Sequence, residues 1–142
     1  VLFFTPDGEN WFPKSEINPT AVTTIDLEQV AGDYTLFTAT AQDLFIDFLC
    51  IIIPADLSGT VGDFTGISIQ STDTEPVVFL SSEDGAIANL DAAGKHLIYR
   101  GPDIVASTKL IQLTIAGGAA DAETICTVFT SYRPAVAGGY LA

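Results

Sequence analysis

Hydrophobic and polar positions alternate with a period of two along most of this chain, most plainly between Gly94 and Pro134. Lys109 to Ile115 puts Ile111, Leu113 and Ile115 on one side and Leu110, Gln112 and Thr114 on the other. Thr124 to Arg133 puts Cys126, Val128 and Tyr132 opposite Ile125, Thr127, Phe129 and Ser131. Two such runs joined by a loop holding Gly117-Gly118 predict a hairpin, the expected spine of the fold. Upstream, Ala21 to Glu28 alternates with Thr23, Ile25 and Leu27 on one face, and Tyr34 to Thr40 forms a second run. Asp43 to Ile53 is the most apolar segment. Strict alternation there sets Leu44, Ile46, Phe48, Cys50 and Ile52 against Phe45, Asp47, Leu49, Ile51 and Ile53. Apolar residues on both faces predict a central strand with one side in the core and the other covered. On this reading Phe48 belongs to the core.

Further runs are Thr65 to Ser71, with Ile67 and Ile69 inward, the short Val77 to Leu80, and His96 to Tyr99. Gly101-Pro102 reads as a turn before Ile104-Val105, and Ser81 or Ser82 as the cap of one short helical turn over Ala86 to Ala88. The sum is about eight strands in an all-β, two-sheet sandwich of jelly-roll type. An immunoglobulin-like sandwich is the rival; it would use Cys50 and Cys126 as a pair between sheets, but the only tryptophan, Trp11, precedes the first strand. Three parts are expected: an extended N-terminal arm over residues 1–20, the sandwich over 21–134, and a mobile tail over 135–142 with Tyr140-Leu141 as a tether. The arm is aromatic, with Phe3, Phe4, Trp11 and Phe12, and is punctuated by Pro6, Pro13 and Pro19. Such a segment is expected to lie across its own domain or a neighbouring subunit, and these four aromatics are the candidate partner-binding residues.

Composition narrows the function. The chain has 142 residues, enough for one domain with a self-sufficient core. Its formal net charge of −13, with only five scattered basic residues, argues against binding a nucleic-acid backbone. The longest apolar run, Phe48 to Ile53, is too short for a membrane helix, and the first residues lack the pattern of a signal peptide. Cys50 and Cys126 fit no zinc spacing and read as buried free thiols. His96 is the only histidine, and there is no Gly-x-Ser-x-Gly elbow or phosphate-binding loop. Asp56, Asp63, Asp73, Asp84 and Asp91 lie in loops, where aspartate serves turns as readily as a cation. No catalytic, cofactor or metal residues are assigned, and the chain is expected not to be an enzyme.

Several of these segments, taken together, resemble a known group of proteins. They are Thr65 to Gln70, Glu75 to Leu80, Ala88 to Leu90, Lys109 to Ile115 with Gly117-Gly118, and Tyr132 to Pro134. They are similar to small β-rich accessory virion proteins of tailed bacteriophages, across roughly residues 43–134. The resemblance implies a structural virion protein, foremost a capsid decoration (cement) protein on the outer surface of the particle. Its partners would be the major capsid protein or another virion structural protein, and it would form a trimer or dimer. Assembly in the reducing host cytoplasm fits free thiols. A tail or head-fibre module, including a receptor-binding base, is the alternative within that group, and a carbohydrate-binding module is the alternative outside it.

Overall fold

A computed structural model describes residues 3–4, 10–11, 19–59, 62–120 and 124–142. Eight strands carry the sandwich: β3 (Thr20–Asp26), β4 (Gly32–Thr40), β5 (Leu44–Ile52), β6 (Gly66–Ser71), β7 (Val78–Leu80), β8 (His96–Val105), β9 (Leu110–Ala116) and β10 (Ile125–Pro134). Before them, β1 (Phe3–Phe4) and β2 (Asn10–Trp11) pair as a separate antiparallel ribbon, despite the prolines around them. After them, β11 (Tyr140–Leu141) pairs with the edge of β4. One sheet has the order β3-β10-β5-β8 and the other β11-β4-β9-β6-β7.

The pairing is nested. β3 pairs with β10, β4 with β9, β5 with β8 and β6 with β7, all antiparallel. This is the topology of a jelly roll: one long hairpin, closed by β6–β7, wrapped so that the other successive strands fall in opposite sheets. The expected hairpin between β9 and β10 is therefore absent. Each of the two strands has a core-facing side, apolar but for Thr130 on β10, and they lie in opposite sheets so that both sides reach the same core. Gly117, at φ +81, is where the chain leaving β9 presses on the loop below; a Cβ there would overlap the Asp63 carbonyl oxygen.

The core is one layer between the sheets, including Ile111, Leu113 and Ile115 of β9, Ile67 and Ile69 of β6, and Cys126 and Val128 of β10. In β5 the alternation does not run straight through. The register shifts at Asp47 against both β10 and β8, so Leu44 and Ile46 face the core before the shift and Leu49, Ile51 and Ile53 after it. A bulge of one residue flips the parity of the rest of the strand. Phe48 is consequently on the outer face and only half buried, contrary to its core assignment from strict alternation.

Two further expectations change. Gly101-Pro102 is not a turn; β8 runs through it, with a cis bond between the two residues. Proline is tolerated because β8 is an edge strand, and glycine because a Cβ at Gly101 would overlap the Ile46 carbonyl oxygen at the bulge. The Ser81 hydroxyl accepts the Asp84 N–H at 3.0 Å and closes a turn, and the short 3₁₀ turn lies later, over Ile87–Asn89, without a side-chain cap.

Cys50 and Cys126 are both buried and unbridged. They sit on adjacent strands of the same sheet, with Cys126 toward the core and Cys50 on the opposite face, so the inter-sheet pair of an immunoglobulin-like sandwich does not occur. The tail is tied at its end, where Thr38 and Ala142 exchange backbone hydrogen bonds of 2.8 and 2.9 Å. No helix among the described residues is long and apolar enough to cross a membrane.

Leu113→Ala, which empties a site in the middle of the core, is expected to cost ~2–5 kcal/mol in urea unfolding. Stability should also fall at alkaline pH. Burial, and secondarily the charge of Asp26, push the Cys126 thiol from its ordinary 9.0 up to about 12. A raised acid favours the protonated folded state, so its contribution is full below about pH 9 and is lost toward about pH 12. The urea midpoint should decline across that window, and less steeply in Cys126→Ala.

Candidate functional site

Antiparallel sheets commonly bury one face and give the other to water. The middle of the five-stranded sheet obeys that rule, while Val78 on β7 and Tyr140 on β11 are exposed at its edges. Its outer rows read Asp33, Thr114, Ser68 and then Thr35, Gln112, Gln70 across β4, β9 and β6. Thr114 donates its hydroxyl hydrogen to Asp33 Oδ1 at 2.5 Å, one of several polar contacts expected of a solvated surface.

The four-stranded sheet departs from it. Across β3, β10, β5 and β8 one outer row is Val22, Phe129, Cys50 and Ile98. On one side of this row lies Thr24, Thr127, Ile52 and His96; on the other lies Thr20, Ser131, Phe48 and Arg100. Arg133, Phe45 and Ile104 continue the surface past the end of β3. Val22 is 65% exposed, Ile125 60%, Ile98 47% and Ile104 45%. These aliphatic side chains, interleaved with Thr20, Thr24, Thr127, Ser131 and His96, make this face the candidate interaction surface.

The side chains on it are already organised. Phe48 and Phe129 have ring centroids 5.7 Å apart, tilted by 32°. The Arg100 guanidinium lies 5.6 Å over the Phe48 ring, and that of Arg133 lies 5.1 Å over Phe45. Arg133 is fixed in place by donating to both Asp47 oxygens, at 2.7 and 2.9 Å, which holds its guanidinium above the usual basicity. Asp47 is the bulged residue, so the irregularity that turns Phe48 outward also orients the arginine. Rings, aliphatic side chains and planar guanidinium groups together are the composition of protein contact surfaces. Cys50 is sealed under its neighbours in the central row, and burial raises its thiol pKa.

Of the predicted arm residues, Phe3, Phe4 and Trp11 contribute backbone to the β1–β2 ribbon, and Phe12 lies outside the described residues. The ribbon is hydrogen-bonded to neither sheet of the sandwich. The chain enters the sandwich at Pro19, whose carbonyl accepts the Tyr132 N–H at 3.1 Å, at the β3 edge of the apolar face.

The remaining candidates for chemistry stand apart. His96 is exposed beside an open depression of about 320 Å³ lined by Phe79, Asp84, Asn89 and Lys95 among others. Among the described residues it is hydrogen-bonded to no serine, cysteine or carboxylate. Lys95 is paired with Asp91 at 2.7 Å, an exposed contact that lowers the Asp91 pKa. Asp56 accepts from both the backbone and the hydroxyl of Ser58, and Asp73 accepts from the Ala106 N–H. Among the described residues no three histidine, cysteine or acidic side chains converge as metal ligands would. Sequence reading expected one side of β5 to be covered but, by strict alternation, put Phe48, Cys50 and Ile52 on the side of Leu44 and Ile46, so the outward set of β5 was not found. Val22, Ile98, Ile104 and Ile125 are unremarkable one at a time and become a surface only when four strands align them. The available signal was Ile125 and Phe129, apolar residues on the outward parity of β10.

No family model matches this chain, and neither a curated protein nor a solved structure matches it.

Placing charge on the face should separate docking from folding. Val22→Asp with Ile98→Asp is expected to change unfolding free energy by no more than ~1 kcal/mol, because both positions are exposed. The same variant should bind much less of an apolar fluorescent dye in the native state. A large loss of stability, or unchanged dye binding, would mean that this face is not an exposed apolar surface.

Proposed function

We propose that this small all-β sandwich works by docking rather than by catalysis, and that it is an accessory structural protein of a virus particle. The observation that carries the docking reading is the outer face of the four-stranded sheet, where exposed aliphatic side chains lie beside ordered rings and arginines, against the polar middle rows of the other sheet. A chain with a formal net charge of −13 stays apart from nucleic acid and from copies of itself through most of its surface, and it adheres through the one region where apolar groups and arginine are gathered.

The virion assignment rests on the similarity of residues 43–134 to accessory proteins of tailed phages. A fold-level analogy agrees with it, since the jelly roll is an architecture of viral capsid domains, though of lectins and cupins as well. Within that assignment we favour a decoration protein that seats its apolar face against the shell, formed by the major capsid protein, and turns the polar face of the five-stranded sheet to solvent.

The test is quantitative mass spectrometry of purified particles made from the genome that encodes this chain. The expected result is a copy number comparable to that of the major shell subunit, falling sharply for Val22→Asp with Ile98→Asp. A handful of copies per particle would favour the tail or head-fibre alternative. Absence from the particle would contradict the proposal.

A further inference from the structure

An edge strand left bare is a template for another strand, and proteins blunt their edges accordingly. Three of the four sheet edges of this sandwich are blunted. β7 has only three residues, and β4 is paired with the tail strand β11 at Ala39 and Thr40. β8 is interrupted by Pro102 and packs Tyr99 edge-on against Phe79 of the other sheet, with ring centroids 4.9 Å apart. The fourth edge, β3, has none of these devices. From Thr20 to Ile25 it carries no charge and no proline, is rich in β-branched side chains, and runs against β10 without a register shift. Among the described residues nothing pairs with the outer side of Thr20 to Thr24. We propose that this edge joins β3 of a second copy of the chain, antiparallel, about a two-fold axis at Val22.

The hydrogen-bond phase of the strand sets that register. The Leu27 N–H donates to the Thr124 carbonyl and the Tyr132 N–H to the Pro19 carbonyl, both at 3.1 Å, so the odd-numbered residues of β3 face β10. The direction of bonding alternates along an antiparallel strand, so Thr20, Val22, Thr24 and Asp26 aim N–H and C=O outward. The Asp26 carbonyl already accepts from Gln29 Nε2 at 2.6 Å, and its carboxylate is held at the turn by the Thr124 hydroxyl at 2.8 Å. The bare set is therefore Thr20, Val22 and Thr24, and it is its own complement. Val22 meets the second copy's Val22, and Thr20 meets the second copy's Thr24. Each such pair exchanges both backbone bonds, β-branched side chains suit directly opposed positions, and no charged side chain of β3 opposes another.

Opposed residues of an antiparallel pair point to the same side of the sheet, so both copies turn their outer faces the same way. The row Val22, Phe129, Cys50 and Ile98 then continues through the joint into the second copy, which doubles the docking face without covering it. The joint uses backbone at the edge, so it is independent of what the face binds. Two chains of formal net charge −13 repel at long range, and the joint therefore needs salt. At about 0.15 M, charges more than ~8 Å apart are largely screened.

Light scattering and residue-resolved amide exchange on the full-length chain, over a dilution series at that salt, test the pairing. At high concentration the mass should approach twice 15.0 kDa, with the Thr20, Val22 and Thr24 amides protected. On dilution to 15.0 kDa these amides should lose protection while those of Ala21, Thr23 and Ile25 keep it. Val22→Lys and Val22→Asp, each checked for native circular dichroism, should be monomeric alone and dimeric when mixed, because opposite charges then face each other at the axis. Val22→Pro, which removes only an outward N–H from an edge strand, should also be monomeric. Ile98→Asp, on the far strand of the same sheet, should leave the dimer intact.

A monomer at every concentration, or charge variants that stay monomeric when mixed, would overturn the pairing. Protection of the Thr20, Val22 and Thr24 amides in a 15.0 kDa species would overturn it too, since the edge would then be covered by its own chain. So would a dimer in which these amides exchange freely, or one lost in Ile98→Asp, which would place the contact on the face. If any of these occurred while the chain still bound particles, the pairing would fall and the docking reading would stand.

Discussion

One extra residue in β5 decides how the rest of this molecule is arranged. At Asp47 the strand gains a residue relative to β10, and the parity of every later position reverses. The result is that Leu44 and Ile46 on one side of the bulge, and Leu49, Ile51 and Ile53 on the other, all face the core. Without the shift, one half of this central strand would turn its aliphatic side chains outward and set Asp47 among them. The neighbouring strand is built around the same point, since only glycine fits at position 101 against the Ile46 carbonyl.

The bulge has an outward consequence of equal weight. It exposes Phe48 beside Phe129 and positions the Asp47 carboxylate to grip Arg133, which then lies over Phe45. The nested pairing of the jelly roll brings Val22 and Ile98 into the row of Phe129 and Cys50, although β3 and β8 are far apart in sequence. The polar rows on the other sheet show that this chain does supply an ordinary solvated face where one is required. Exposed apolar side chains also occur elsewhere, at Val30, Val78, Val136 and Tyr140, but only the four-stranded sheet gathers them beside paired rings and arginines. Docking by a rigid sheet face also suits a small protein, because little conformational entropy is lost when flat, pre-ordered groups become buried.

Much of the architecture was legible in the sequence because alternation is a local signal. Ile67 and Ile69, Ile111 to Ile115, and Cys126 with Val128 lie on the faces their spacing predicts, and the number of runs is enough to indicate a jelly roll. Which sheet a strand joins is not local. β9 and β10 succeed each other across a glycine loop and look like a hairpin, yet they pair with β4 and β3 instead. The bulge in β5 was hidden for a different reason: the segment is apolar on both parities, so a reversal leaves no trace in the pattern. Gly101-Pro102 reads as a turn and sits within a strand, because an edge position removes the need for the missing N–H. The outer face of the four-stranded sheet was half visible, as Ile125 and Phe129 on the outward parity of β10. Its arginines were not, because their placement over Phe45 and Phe48 depends on cross-strand register.

The central claim is that the outer face of the four-stranded sheet is buried when this protein does its work. Hydroxyl-radical footprinting, read by mass spectrometry on the isolated chain at low concentration and on the particle-bound chain, tests it most directly. Burial of the face predicts strong protection of Phe45, Phe48, Ile98 and Phe129 in the bound state, with Leu110 and Val78 of the other sheet oxidised equally in both. Equal oxidation of the four face residues in the two states, or protection confined to the five-stranded sheet, would contradict it.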